Sequence, residues 1–313
     1  MKRLVPILLF LICQAAVGQE RIMFWNLENF FDYRNDTTSV SDAEFSSRGE
    51  RRWTKKRFNA KCNAVAKTIL WAGGKMGDLP DVIGFAEVEN SFVLRRLIQG
   101  TALRKTDYSI VHYDSPDPRG IDVALLYRRS RFRLLDARPS HIYNADSSVV
   151  PTRDILLAHF AGPGGDIAVL VNHHPSKYGG ESSGPRRRMA VEKLAFLADS
   201  LMNIGIERVV AMGDFNDTPD APVYSLVPLE NLALPLHRRG EGTIKYDGKW
   251  ELIDLFFVSD SLRSSTMSIL KVPFLLTPDG SGQKPLRTYS GPRYLGGVSD
   301  HCPVWLSIDD NQE

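Results

Sequence analysis

Val209-Val210-Ala211-Met212-Gly213-Asp214-Phe215-Asn216-Asp217-Thr218-Pro219 begins as an apolar run and ends in oxygen-bearing side chains. Four apolar residues stopped by a glycine read as a short buried strand rather than a helix. Asp214 and Asn216 leave the C-terminal end of that strand at alternate positions and so share a face. A carboxylate and an amide oxygen side by side suit a hard cation such as Mg²⁺, or hydrogen bonds to a phosphoryl group. An Asp-Asn turn that merely closes a strand would use the same residues. The rest of the chain has to separate these readings.

The same chemistry recurs at other strand ends. Trp25-Asn26-Leu27-Glu28-Asn29 places Asn26 and Glu28 at alternate positions after an apolar run, and Phe85-Ala86-Glu87-Val88-Glu89-Asn90 ends another run at Glu87. One carboxylate at a strand end is ordinarily just solvated, whereas three strands ending alike argue for a shared site. Val298-Ser299-Asp300-His301-Cys302-Pro303 adds an acid next to a group that moves protons near neutral pH. Val171-Asn172-His173-His174-Pro175-Ser176 adds a histidine pair, and strand alternation does not decide between His173 and His174. Asp254 lies inside the apolar Leu252-Ile253-Asp254-Leu255-Phe256-Phe257, where a carboxylate is costly unless paired, and a histidine is the obvious partner.

Outward from these ends, strands are expected at 22–27, 82–85, 123–127, 155–160, 167–171, 209–212, 252–258 and 304–308. Helices are expected over 54–71, with Phe58, Cys62, Val65, Ile69 and Leu70 on one face, and over 185–203, with Ala190, Leu194, Leu197 and Leu201 in one stripe. A weaker helical pattern covers 92–99. Strands come in clusters rather than in strict βαβ alternation, which suits two mixed or antiparallel sheets packed together with helices outside. The polar stretch Tyr33 to Glu50 reads as a long surface loop. No repeat or linker divides the chain, so residues 19–313 are expected to form a single domain.

Residues 1–18 read as a secretory signal peptide: a basic Lys2-Arg3 start, an apolar Leu4 to Ile12, and small residues up to Gly18. The apolar stretch is shorter than the roughly 20 residues of a membrane span. A secreted or periplasmic protein is expected. Loss of Lys2 and Arg3 would leave 37 basic against 37 acidic residues, so net charge gives no long-range pull toward a polyanion. A composition 43% hydrophobic and 24% charged excludes disordered and fibrous classes. Cys62 and Cys302 alone cannot build a thiolate zinc site and read as two buried thiols.

Taken in order, Trp-Asn-x-Glu-Asn, x-x-Glu-Val, Asn-His, Gly-Asp-Phe-Asn, Ile-Asp-x-x-Phe and Ser-Asp-His resemble the endonuclease/exonuclease/phosphatase superfamily across residues 21–308. The resemblance implies an α/β (α+β) fold, a four-layered sandwich of two mixed β-sheets flanked by helices. It implies hydrolysis of a phosphodiester by water, with Mg²⁺ as cofactor and Mn²⁺ or Ca²⁺ as alternatives. Glu28, Glu87 and Asp300 would serve the metal, Glu87 foremost, while Asn26 and Arg119 would contact substrate. Asp214 and Asn216 would position the nucleophilic water and the phosphoryl oxygens. His301, oriented by Asp254, would act as general base or cationic stabiliser. His173 aligns better than His174 with the family's other histidine.

Nucleic acid is the leading substrate expectation. The basic clusters at 51–57 and 186–188 are candidate backbone contacts, or else solvated helix starts whose charge opposes the macrodipole. A phospholipid (sphingomyelinase-like) or small-molecule phosphoesterase is the alternative, with Phe30-Phe31 and residues 273–276 as candidate membrane-facing loops or core. A catalytically inactive binding module is the third. No stable protein partner is implied, and a monomer is expected.

Overall fold

The computed structural model describes residues 19–36, 39–177 and 183–309, so the expected leader at 1–18 lies outside the described residues. Its strands are β1 (Glu20–Phe30), β2 (Val82–Val88), β3 (Tyr108–His112), β4 (Asp122–Arg128), β5 (Arg133–Ser140), β6 (Ile155–Gly162), β7 (Gly165–His173), β8 (Arg208–Asp214), β9 (Glu230–Asn231), β10 (Ile244–Tyr246), β11 (Lys249–Glu251), β12 (Asp254–Val258), β13 (Thr266–Ile269), β14 (Leu276–Asp279), β15 (Gly282–Pro285), β16 (Tyr289–Ser290), β17 (Arg293–Tyr294) and β18 (Val304–Ile308). The helices are α1 (Val40–Glu44), α2 (Lys55–Met76), α3 (Ser91–Gln99), α4 (Ser183–Asn203) and α5 (Leu234–Arg238).

Two six-stranded mixed sheets result, in the orders β13-β18-β1-β2-β4-β3 and β5-β6-β7-β8-β12-β9. In each, one parallel pair sits at the centre among antiparallel neighbours: β1 with β2, and β7 with β8. Period-two alternation along β1 sorts its side chains between layers. Ile22 and Phe24 join the core that contains the second sheet and α4, while Met23, Trp25 and Leu27 join Phe58, Val65 and Ile69 of α2 on the other side. The layers are thus helices, sheet, sheet and helix, as the fold expectation has it.

Local chemistry fixes the helix ends. Thr54 accepts the Arg57 N–H at 3.4 Å as the α2 N-cap, and Gly77 closes the helix at φ +96°. Asn90 caps α3 through the Val93 N–H at 3.1 Å. At Gly213 a Cβ would lie 2.3 Å from the Asn172 carbonyl oxygen of the neighbouring strand, so only glycine lets β7 and β8 approach this closely beside Asp214.

The stretch from Tyr33 to Glu50 departs from the surface-loop expectation. It contains α1, and Phe45 turns inward to stack on Phe31 with ring centroids 4.8 Å apart. Residues 37–38 within it lie outside the described residues. Phe30 and Phe31 are fully buried, and Leu275 is buried too, so neither candidate membrane loop is a free apolar edge. Cys62 and Cys302 are free, buried thiols, each pushed up to about 12 by burial. No helix among the described residues is long and apolar enough to cross a membrane.

Candidate active site

Strand register builds the site. Parallel pairing sets His173 of β7 opposite Asp214 of β8, and antiparallel pairing sets Asp254 of β12 opposite the same Asp214. Three site residues therefore stand in one row across the second sheet. In the first sheet the β1–β2 ladder loses register between Asn26 and Phe30. That irregularity turns Glu28 out of the alternation and toward the cleft. Non-glycine residues rarely adopt positive φ, yet Glu28 (46°), Asn29 (52°), Glu87 (61°) and Asn216 (51°) all do so here. Such strain gathers at functional sites, where the surrounding fold over-determines the backbone.

A cleft of about 560 Å³ opens over these strand ends. Glu28, Glu87, His173, Asp214, Asp300 and His301 line it, together with Asn216 and Arg119. Asn26 and Asp254 lie buried behind this lining. Asn26 Nδ2 donates to Asp214 Oδ2 at 2.9 Å and reaches Glu87 Oε1 at 3.5 Å, tying the two sheets together. Its Oδ1 accepts the Glu28 N–H at 2.9 Å. Glu87 Oε2 accepts the Asn29 N–H at 2.7 Å.

His301 Nδ1 lies 2.8 Å from Asp254 Oδ2, and its Nε2 faces Asp214 Oδ2 at 3.8 Å. Burial alone would lower this imidazole, but Asp254, and after it Asp214 and Asp300, hold it well above its ordinary value. These neighbours favour its protonated, donating form. Asp214 also moves up, which for a carboxylate is away from its charged form: burial raises it to about 7, against the pull of His301 and the Asn26 hydrogen bond. His173 Nε2 lies 3.7 Å from Asp214 Oδ2 and 3.9 Å from Glu87 Oε1. Burial first, then Arg153 and Arg119, lower it well below the usual histidine range, so it is neutral.

The histidine pair separates cleanly. His173 faces the cleft, whereas His174 packs its ring edge-on against Phe215 at 4.7 Å, and burial pushes it down to about 3. Asn216 Nδ2 donates to the His174 carbonyl at 2.9 Å, which anchors the turn after β8. Arg119 is about half exposed and leans on Asp117, whose other oxygen binds buried Arg153 at 2.9 Å.

Glu28, Glu87 and Asp300 all line one cleft, but Glu28 spends one oxygen on Arg287 and the other on the Thr288 N–H, which leaves Glu87 as the carboxylate a hard divalent cation would use. Asp214, Asp254 and His301 also place one ligand atom each within 4.8 Å of one another. Nδ1 of His301 is committed to Asp254 Oδ2 at 2.8 Å, so that trio reads as a hydrogen-bond network. The residues present fit a metal on the Glu87 side.

Two cations of the site escape the sequence reading. Arg287 binds Glu28 Oε1 through Nε at 3.0 Å and Asp300 Oδ2 through Nη2 at 3.0 Å. Buried Lys61 donates to the Glu28 carbonyl at 2.6 Å and to Thr288 Oγ1 at 2.9 Å. Lys61 left a trace, a charge next to Cys62 on the apolar face of α2; Arg287, in a short loop without periodicity, left none. The basic clusters are engaged within the protein in part. Arg51 pairs with Glu44, Arg57 donates to the carbonyls of Arg51 and Arg52, and Arg188 pairs with Glu192.

A family model described as the Endonuclease/Exonuclease/phosphatase family matches residues 21–310. No curated protein matches the chain. Among solved structures, TDP2 of D. rerio complexed with single strand DNA product is similar at 14% identity and a TM-score of 0.56, covering 93% of this chain and 99% of that one. An endonuclease/exonuclease/phosphatase of Bacteroides vulgatus is similar at 16% identity and a TM-score of 0.56, covering 93% and 99%. A mannosyl-6-phosphatase of Bacteroides thetaiotaomicron is similar at 16% identity and a TM-score of 0.55, covering 93% and 100%. At these identities the likeness shows the fold.

Proposed function

The chain belongs to the endonuclease/exonuclease/phosphatase family, and from that premise we propose that it is a metal-dependent phosphodiester hydrolase acting outside the cytoplasm, with nucleic acid its first substrate class. The observation that carries the chemistry is the pairing of a cationic His301, 2.8 Å from Asp254, with a buried Asp214 raised to about 7. Both groups are pushed toward holding a proton, and a carboxylate brought to about 7 beside an imidazolium donor suits acid–base work at neutral pH.

In this reading water attacks phosphorus in line with the leaving oxygen. Asp214, oriented by Asn26 and the Asn216 N–H, takes the proton of the attacking water. His301 and neutral His173 donate hydrogen bonds to the phosphoryl oxygens as the P–O bond to the leaving group breaks. Asp254 keeps the His301 ring aimed and charged. Glu87, a cleft carboxylate that Arg287 does not grip, would hold a divalent cation, which when bound would supply Lewis-acid stabilisation of charge on phosphate and leaving oxygen. Arg119 and Asn216 line the approach.

A second reading, a compact phosphomonoester, is favoured by the shape of the cleft. The hairpins β10–β11 and β14–β15 wall one side, bolted together by Lys245 Nζ on Asp279 Oδ1 at 3.1 Å and on the carbonyls of Ser281 and Gln283, each at 3.2 Å.

The test is Mg²⁺-dependent hydrolysis of plasmid DNA, RNA, sphingomyelin and a sugar phosphate by wild type, Asp214→Asn and His301→Ala. Turnover of nucleic acid lost on adding EDTA and in both variants is the expected result. Turnover of the sugar phosphate alone would select the second reading, and turnover that survives EDTA or His301→Ala would sink the mechanism.

A further inference from the structure

We propose that Arg287 is a phosphoryl-binding residue, and that Glu28 and Asp300 serve to hold its guanidinium toward the cleft. The inference rests on the reading above that this cleft hydrolyses phosphate esters.

A guanidinium carries five N–H donors in one rigid plane. Nε of Arg287 is used on Glu28 Oε1 and one Nη2 hydrogen on Asp300 Oδ2, both at 3.0 Å. The side chain nevertheless stays 52% exposed and lines the cleft. The remaining edge of the fork is therefore presented to whatever the cleft binds, in the planar geometry that suits phosphate oxygens.

The segment is fixed from several sides. Glu28 grips Arg287 with one oxygen and the Thr288 N–H with the other at 2.8 Å. Lys61 Nζ, buried beneath, joins the Glu28 carbonyl to Thr288 Oγ1. A guanidinium that only balanced two carboxylates would not need its neighbour's backbone clamped by one of them. A substrate contact does need it, because a pre-ordered donor loses less entropy when it binds. Asp300 also lies between two cations, its Oδ2 at Arg287 and its Oδ1 3.9 Å from His301 Nε2. Guanidinium and imidazolium therefore flank one carboxylate and face the same part of the cleft, where a phosphoryl group would meet both.

The experiment uses the full chain with Mg²⁺, inorganic phosphate as calorimetric ligand and bis(p-nitrophenyl) phosphate as kinetic probe. Arg287→Ala should weaken phosphate binding by roughly tenfold or more, the effect of losing a charged hydrogen-bond donor. It should raise KM more than it lowers kcat. Arg287→Lys, which keeps the charge and disturbs the fold least, should recover only part of the loss because the ammonium lacks the fork. The double variant Glu28→Gln/Arg287→Ala restores charge balance without restoring donors and should stay weak. Recovery of phosphate binding in the double variant, or unchanged KM and affinity in Arg287→Ala while wild type turns over, overturns the Arg287 assignment and leaves the hydrolase reading standing. A wild type that neither binds phosphate nor hydrolyses the probe overturns both.

Discussion

The ends of β1 and β2 feed two acidic clusters, not one. Glu28 and Glu87 face the cleft, while Asp32, four residues beyond Glu28, and Glu89, two beyond Glu87, turn into a second group with Asp36 and Asp42. Asp36, Asp42 and Glu89 bring their oxygens as close together as a cation site would, within 4.8 Å. The two clusters differ in what offsets the charge. In the cleft, burial and Asp300 raise Glu28, but Lys61 and Arg287 hold it to about 7. In the second cluster, burial and the charges of Asp32, Asp42 and Asp36 drive Glu89 up to about 9, opposed by the Asp32 N–H at 2.6 Å. At Glu28 two cations work against burial, whereas in the second, quieter cluster it is the Asp32 N–H that works against burial at Glu89. Acidic residues at a strand end thus do not by themselves mark a site; what opposes burial at each carboxylate differs.

That contrast breaks first at the paired glutamates. Glu87→Gln should cut kcat/KM by roughly 10³, as expected when a preorganised charge at the reacting group is lost, whereas Glu89→Gln should leave turnover unchanged. Equal losses in both would erase the functional difference between the clusters. Next comes the cationic histidine. Asp254 Oδ1 is buried without a hydrogen-bond partner among the described residues, so Oδ2 bound to His301 is what this carboxylate offers. Asp254→Asn keeps the shape and removes the charge, with a loss of about 10²-fold, at the lower end for a misdirected acid–base group. Since Asp254 is what holds His301 high, the variant's imidazole should deprotonate at lower pH. The basic limb of its pH–rate profile should therefore lie at lower pH than that of wild type, which rate measurements across pH would read directly.

Much of this site was legible before any coordinates. Apolar runs stopped by Asp, Asn or Glu locate β1, β2, β7, β8 and β12, and the parallel pairing at the centre of each sheet then aims their ends at one place. What was hidden depends on tertiary context. Edge strand β5 alternates exposed Arg133, Asp136 and Arg138 with little apolar pattern, a polar edge of the kind that discourages sheet-to-sheet association. The positive φ of Glu28 and Glu87 falls on a residue type that does not announce it, at irregularities of the β1–β2 and β2–β4 ladders, and that of Asn216 falls in the turn after β8. The choice of His173 over His174 follows from Phe215 filling the space behind the strand, which alternation along β7 could not reveal. Arg287 comes from a loop 259 residues after its partner Glu28, and no local spacing connects them.

The smallest expected effect concerns stability alone and tests the proton on the quiet side. Glu89 titrates at its ordinary value of 4.5 in the unfolded chain and at about 9 in the folded one. Between these values the folded protein keeps a proton that the unfolded chain has released, so stability falls as pH rises through the window. Below it both states are protonated and the group contributes nothing. Gln at this position keeps a carbonyl oxygen for the Asp32 N–H and cannot ionise. Glu89→Gln should therefore melt closer to wild type near pH 5 than near pH 8.5, where it should melt above it, the gap growing with pH across the window. The measurement is a pair of thermal melts at each pH. A difference that is the same at both would mean that Glu89 is ionised in the folded protein, and that the second cluster is balanced by charge after all.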